Sequence, residues 1–122
     1  MQGDTLSIDE KLTLRSVAAV LAAAEVGAVL VRCDDGRVGI VSERDVTRAL
    51  AQEADPDTIW SIDIMTEDLV TADVGEQILR VAVRLLDEGI RHIALTKGAE
   101  IIGVVSAREV FAVLTEDAIE NG

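Results

Sequence analysis

The sequence predicts an α+β protein built from two copies of one unit, each helix–strand–strand–helix with a short extended lead-in. Three observations carry this. First, Val38-Gly39-Ile40-Val41-Ser42-Glu43-Arg44-Asp45-Val46-Thr47-Arg48-Ala49-Leu50 returns 64 residues later as Ile102-Gly103-Val104-Val105-Ser106-Ala107-Arg108-Glu109-Val110-Phe111-Ala112-Val113-Leu114, with six of 13 pairs identical. The same offset relates Asp9 to Asp73, Val17 to Val81, Ala18 to Ala82 and Leu21 to Leu85. A fixed-period repeat decides architecture before any single motif does. Second, apolar residues switch along each copy from helical spacing to short strand-like runs. Third, a turn separates the two runs in each copy: Asp34-Asp35-Gly36, then Lys97-Gly98-Ala99.

Each copy opens on an extended lead-in, Thr5-Leu6-Ser7 or Leu69-Val70-Thr71. A helix follows, read from Leu14, Val17, Ala18, Val20 and Leu21 and from Ile78, Val81, Val83, Leu85 and Leu86. Gly27 and Gly89 close those helices at or near their C-caps. Ala28 to Val31 and Ile93 to Leu95 are the first hairpin strands; Arg37 to Val41 and Ile101 to Val105 return. A second helix starts beside each serine, roughly Glu43 to Gln52 and Ala107 to Ile119. The expected division is a first repeat at 5–53, a linker at 54–68 holding the only proline, Pro56, and the only tryptophan, Trp60, and a second repeat at 69–119. Trp60 reads as a linker anchor, a dimer contact or neither.

Composition narrows the function classes. With 122 residues, neither half buries enough apolar surface alone, so the halves are expected to pack together. Apolar residues make up 49% and aromatics 2%, which predicts a core of Val, Ile, Leu and Ala and offers almost no stacking platform for bases. A net charge of −12, from 23 acids and 11 bases, repels nucleic acid and anionic membranes. No apolar run is long enough to span a bilayer, and the acidic Met1 to Glu10 stretch does not resemble a signal peptide. The single cysteine, Cys33, forms no internal disulfide, fits a reducing cytoplasm, and reads as a strand-end residue opposite Lys97 in the repeat. No paired metal-ligand motif, P-loop or dinucleotide fingerprint is present, and one histidine, His92, cannot complete a nucleophilic triad. An enzyme is not expected, and neither is a cofactor.

Ser42-Glu43-Arg44-Asp45 marks the point where a glycine-containing strand turns into a helix. Backbone N–H groups there favour an anion. A serine hydroxyl can add a bond to phosphate, and an acid three residues on can accept two ribose hydroxyls. The same spacing is a capping box, which satisfies the helix N–H groups with no ligand at all. Ser106-Ala107-Arg108-Glu109 fits a capping box too, and its longer glutamate changes any ribose geometry. Both readings stand at this point.

A lead-in ending in Ser or Thr, an amphipathic helix, a hairpin, then Gly-x-x-Ser-x-x-acid opening a second helix resembles the CBS domain, named for cystathionine β-synthase. Ile62-Asp63-Ile64-Met65-Thr66 is similar to the lead-in that often precedes such a repeat, and two copies resemble a Bateman module. The resemblance spans roughly residues 5–119. The hairpin strand departs from the family in lacking a proline around Leu30 and Ala94.

The resemblance implies two tandem CBS repeats related by a pseudo-two-fold axis, sheets together and helices outside, assembling as a homodimer through the apolar helix faces. It implies a regulatory module binding an adenosine-containing ligand, such as AMP, ADP, ATP or S-adenosylmethionine, between the repeats, and a separate effector protein that reads the change. One site would use Gly39, Ile40, Ser42, Asp45, Leu69, Val70, Arg91 and His92. A second, weaker one would use Leu6, Ser7, Gly27, Val104, Ser106 and Glu109, and would lack a cation. For the bland roles, Leu69 and Val70 pack a core, His92 is a surface strand residue and Arg91 pairs with a nearby acid. The rival functions are a ligand-free dimeric scaffold, a metal-ion sensor using surface acids, and, against the charge, a nucleic-acid binder.

Overall fold

A computed structural model describes residues 6–121, and the side chains of residues 6–116. Eleven elements follow one another: β1 (Ser7–Asp9), α1 (Leu14–Ala24), β2 (Ala28–Arg32), β3 (Val38–Ser42), α2 (Glu43–Ala51), α3 (Ser61–Ile64), β4 (Thr71–Asp73), α4 (Ile78–Glu88), β5 (His92–Lys97), β6 (Glu100–Ser106) and α5 (Ala107–Asn121). The described residues form two units, residues 6–69 and residues 70–121. Each described unit holds a three-stranded sheet, β1-β2-β3 or β4-β5-β6. In both sheets the lead-in strand runs parallel to its neighbour and the hairpin pair is antiparallel. The two mixed α+β units are the repeated pattern read from the sequence.

In the first unit, Thr13 starts α1 by accepting the Ser16 N–H on its hydroxyl at 3.2 Å. Leu14, Val17 and Leu21 then turn one stripe inward. They meet Val29, Val31 and Val41 from the hairpin, Ile8 from β1, and Val46 and Ala49 from α2. Cys33 closes the end of this core, where burial raises its thiol pKa above the ordinary value, so it stays a protonated packing group. The second unit repeats the plan with Val81, Ala82 and Leu85 of α4 against Ile93, Leu95, Val105, Ala72 and Val110. Both cores are aliphatic, as the composition predicts.

Two local expectations are corrected. The lead-in strands begin two residues later than read, at Ser7 and Thr71. Parallel pairing sets this register: Ile8 lies opposite Val31 and Ala72 opposite Leu95, so one buried residue is flanked by two exposed ones. Thr5 falls outside the described residues. Second, α1 ends on Glu25 in the left-handed region (φ 55°), two residues before Gly27, whereas α4 ends on Gly89 as expected. Residues 54–68 contain a short helix and are tied into the first unit. Ser61 is fully buried, its hydroxyl donating to the Asp9 carbonyl at 2.7 Å and its N–H to that of Leu12 at 2.8 Å. Ile59, Ile62, Ile64 and Met65 pack on the same core. Trp60 stays 41% exposed, with the Lys11 ammonium 5.7 Å from its ring centre.

A half-buried ion pair braces the second unit. The Arg84 guanidinium bonds the Glu76 carboxylate and donates to the Thr71 carbonyl at 2.7 Å, joining α4 to the start of β4. The Arg84 bond lowers the Glu76 pKa below its ordinary value, against the opposing effect of burial. A depressed carboxylate pKa contributes stability that is fully present above the unfolded-state value and is lost as pH falls through the folded value. Thermal melts from about pH 6 to about pH 3 should therefore show a fall in Tm below the ordinary glutamate range, shallower in Glu76→Gln. An unchanged pH slope in that variant would show that the pair contributes nothing.

Candidate functional site

Two short segments of chain pin the turn between β3 and α2. Ser42 is the last residue of the strand and the N-cap of the helix. Its hydroxyl accepts the Asp45 N–H at 3.2 Å and donates to Asp45 Oδ2 at 2.9 Å. The Ser42 N–H donates to the same Oδ2 at 2.8 Å. Immediately above, the Glu43 N–H donates to the Gly27 carbonyl at 2.9 Å. Two donors of the first helical turn are thus spent inside the protein, and the serine proton is committed to Asp45. The Asp45 side chain is 14% exposed. Its other oxygen, Oδ1, has only a long contact, 3.5 Å from Arg48 Nη1. An ionised carboxylate offers about four acceptor positions, so Oδ1 retains capacity for hydroxyl donors.

The second turn is the same device with one more methylene. Ser106 Oγ accepts the Glu109 N–H at 3.1 Å, and Glu109 Oε1 accepts both the N–H and the hydroxyl of Ser106, each at 3.2 Å. The Ala107 N–H donates to the Arg91 carbonyl at 2.7 Å, the counterpart of Glu43 to Gly27. Both Ser-x-x-acid turns are therefore complete capping boxes.

The other sequence-read residues fall as follows. Gly39 is buried in the middle of β3, opposite Val31. A β-carbon there would lie 2.6 Å from Met65 Sδ, 2.9 Å from Met65 Cγ and 3.0 Å from the Thr66 carbonyl oxygen. The protein's own chain fills the space in front of this glycine. Ile40 is buried, and its N–H and carbonyl both bond to Thr66, each at 2.9 Å. Gly27 shares an end of the first sheet with Ser42, through Ala28 opposite Ser42. Arg91 and His92 share the corresponding end of the second sheet with Ser106, since His92 pairs with Ser106 and the Arg91 carbonyl caps α5. Val104 lies in β6 opposite Ala94. Leu6 is exposed and its carbonyl accepts the Leu30 N–H at 3.2 Å; the Ser7 hydroxyl accepts Arg32 Nε at 3.1 Å. Val70 is half-buried against the second core, its carbonyl accepting the Ala94 N–H at 3.0 Å. Leu69 is half-buried at the end of the first unit.

Three participants escaped the sequence reading. Met65 and Thr66 line β3 beside Gly39 and Ile40, and Arg48 stands one turn from Asp45. Arg48 was legible as an i, i+3 partner of Asp45. The Met65 contact depends on a pairing distant in sequence, and nothing local announces it. Among the described residues no group of three or more His, Cys, Asp or Glu side chains is placed to hold a metal ion, and no helix is long and apolar enough to cross a membrane.

A fold of two such units, each with a capped turn after a glycine strand, defines a tandem-repeat α+β module. The CBS domain family model matches residues 1–52 and 61–116, and the chain belongs to that family. A CBS domain protein from Pyrobaculum aerophilum, PAE2072, solved in complex with AMP, is 30% identical with a TM-score of 0.82, covering 98% of this chain and 95% of that one. The CBS domain pair of the protein MJ0100, solved with 5′-methylthioadenosine and S-adenosyl-L-methionine, has the same fold at 19% identity and a TM-score of 0.78, covering 93% of each chain. The uncharacterised protein MJ1225 of Methanocaldococcus jannaschii is 26% identical over 91 residues, 75% of this chain and 32% of its own length. The chain thus spans about a third of that curated relative.

Proposed function

We propose that this protein is a regulatory module that binds an adenosine-containing ligand, from the set AMP, ADP, ATP and S-adenosylmethionine, at the Ser42–Asp45 turn. The observation that carries the reading is the Asp45 carboxylate: its own cap orients it through Oδ2, while Oδ1 keeps acceptor capacity for ribose hydroxyls. The AMP complex of the 30% identical relative supports the ligand class. The resemblance adds Gly39 and Ile40 beside that turn, Leu69 and Val70 for the base, and Arg91 and His92 for phosphates. The set around Leu6, Ser7, Gly27, Val104, Ser106 and Glu109 is the weaker one, because glutamate displaces the acceptor by a methylene. Ligand acts by favouring one arrangement of a homodimer, and a cytoplasmic effector protein reads the shift. The module itself is not a catalyst.

A second reading has a specific observation behind it. Both turns are closed capping boxes with no ligand, as a scaffold needs. Calorimetric titration with AMP, ATP and S-adenosylmethionine in turn, on the parent and on Asp45→Ala, separates the two. The sensor reading expects saturable heat with one of them, lost in the variant. No heat with any, up to millimolar ligand, leaves the scaffold.

A further inference from the structure

The two oxygens of Asp45 stand in opposite situations. Oδ2 is held from within by the Ser42 N–H and hydroxyl, at 2.8 and 2.9 Å. Oδ1 faces Arg48, one helical turn on, whose Nη1 lies 3.5 Å away. The side chains differ in depth, 14% exposed for Asp45 and 59% for Arg48, so the guanidinium lies toward solvent from a mostly covered carboxylate. At 3.5 Å the contact is too long for a strong hydrogen bond, and Arg48 has no second acid partner among the described residues. Its remaining donors are uncommitted. The second repeat has no counterpart: position 112 is alanine, and Glu109 stands in no ion pair among the described residues.

We infer that Arg48 determines the ligand class at this turn, selecting adenosyl ligands that carry phosphate over neutral adenosine and over the sulfonium cation of S-adenosylmethionine. This rests on the adenosine reading of Asp45 and narrows it. A phosphorylated ligand brings negative charge to a chain of net charge −12 and sets it beside a carboxylate. A cation next to that carboxylate offsets the repulsion. The flexible stem of Arg48 lets the guanidinium turn from Asp45 to a phosphate on the same ribose while the ribose hydroxyls take Oδ1. Neutral adenosine offers the guanidinium nothing in exchange for Oδ1, and a sulfonium is repelled by it. The purely structural alternative is a helical role: Arg48 sits in the last turn of α2, where a cation meets the negative end of the helix dipole.

Calorimetric titration of the full chain with AMP, adenosine and S-adenosylmethionine tests this on the parent, Arg48→Met and Arg48→Lys, with a thermal melt of each. The parent should bind AMP more tightly than the other two. Arg48→Met keeps an apolar stem and drops the charge; it should weaken AMP by about two- to fivefold at low salt and leave adenosine unchanged or slightly tighter. Arg48→Lys should recover most of the AMP loss, and the gap between the parent and Arg48→Met should narrow as salt rises. A purely helical role instead lowers Tm in Arg48→Met and moves AMP and adenosine by one common factor, which overturns the inference. A parent that binds adenosine or S-adenosylmethionine as tightly as AMP keeps the adenosine sensor and overturns the selectivity alone. A parent that binds none of the three overturns the sensor and the role of Arg48 together.

Discussion

Valine at position 39 should destabilise the first repeat by about 3 kcal/mol, and alanine by about 1–2 kcal/mol. The sign is the informative part, because replacing a strand glycine by alanine ordinarily gains a few tenths to 1 kcal/mol through the unfolded chain. Gly39 has no left-handed φ, so its lack of a side chain answers a steric need, not a conformational one. The first added carbon meets Met65 Sδ at 2.6 Å and the Thr66 carbonyl oxygen at 3.0 Å. The thioether end can swing away at modest cost. The carbonyl cannot, since it accepts the Ile40 N–H at 2.9 Å and the Thr66 N–H returns the bond. Valine adds two methyl groups on that side and should open the Ile40–Thr66 bridge. Urea unfolding reads this as a lower midpoint at unchanged slope. Met65→Ala combined with Gly39→Ala should cost less than the sum of the two singles, by about 0.5–1 kcal/mol, because the clash is shared. If alanine at 39 proves as stable as glycine, the packing account is wrong, and the glycine is left for a ligand to explain.

Most of the fold was legible because the signals were local and appeared twice. The helical stripes, the hairpin turns and the serine-capped second helices each depend on residues within a few positions of one another, and the 64-residue offset checked every reading against its copy. What was misplaced depended on pairing. The lead-in strands are three residues long and take their register from β2 and β5, so Leu6 and Leu69 look strand-like but stand before the strand. The α1 terminus misled because glycine two residues on is the usual left-handed cap, while here Glu25 takes that conformation. At the candidate site the sequence left two meanings for Ser-x-x-acid, and the structure realises the cap at both turns without removing the acceptor capacity of Asp45 Oδ1. Gly39 shows the limit most clearly. The resemblance sets it beside a ligand, yet its neighbour is Met65, 26 positions away.

Because the two turns are capped alike, alanine at Asp45 and alanine at Glu109 form a matched pair. Each substitution deletes the carboxylate that accepts the serine N–H and hydroxyl, so each should cost about 1 kcal/mol of stability and lower Tm to a similar extent. Their effects on binding should part. Losing an ionised acceptor for ribose hydroxyls at Asp45 should weaken the adenosine ligand by tens- to hundredfold. Glu109→Ala should leave the same affinity within a factor of about three, if the glutamate turn serves its helix alone. Equal losses of stability with unequal losses of affinity would assign ligand to the first turn in a way that a global weakening of the fold cannot imitate. Equal losses of both would mean that the two turns serve one ligand site together or that binding merely follows stability, and Glu109→Asp decides between these. An aspartate there shortens the acceptor to the Asp45 geometry, so a second turn that contacts ligand should respond to it in affinity, whereas a turn that only caps should respond in Tm alone.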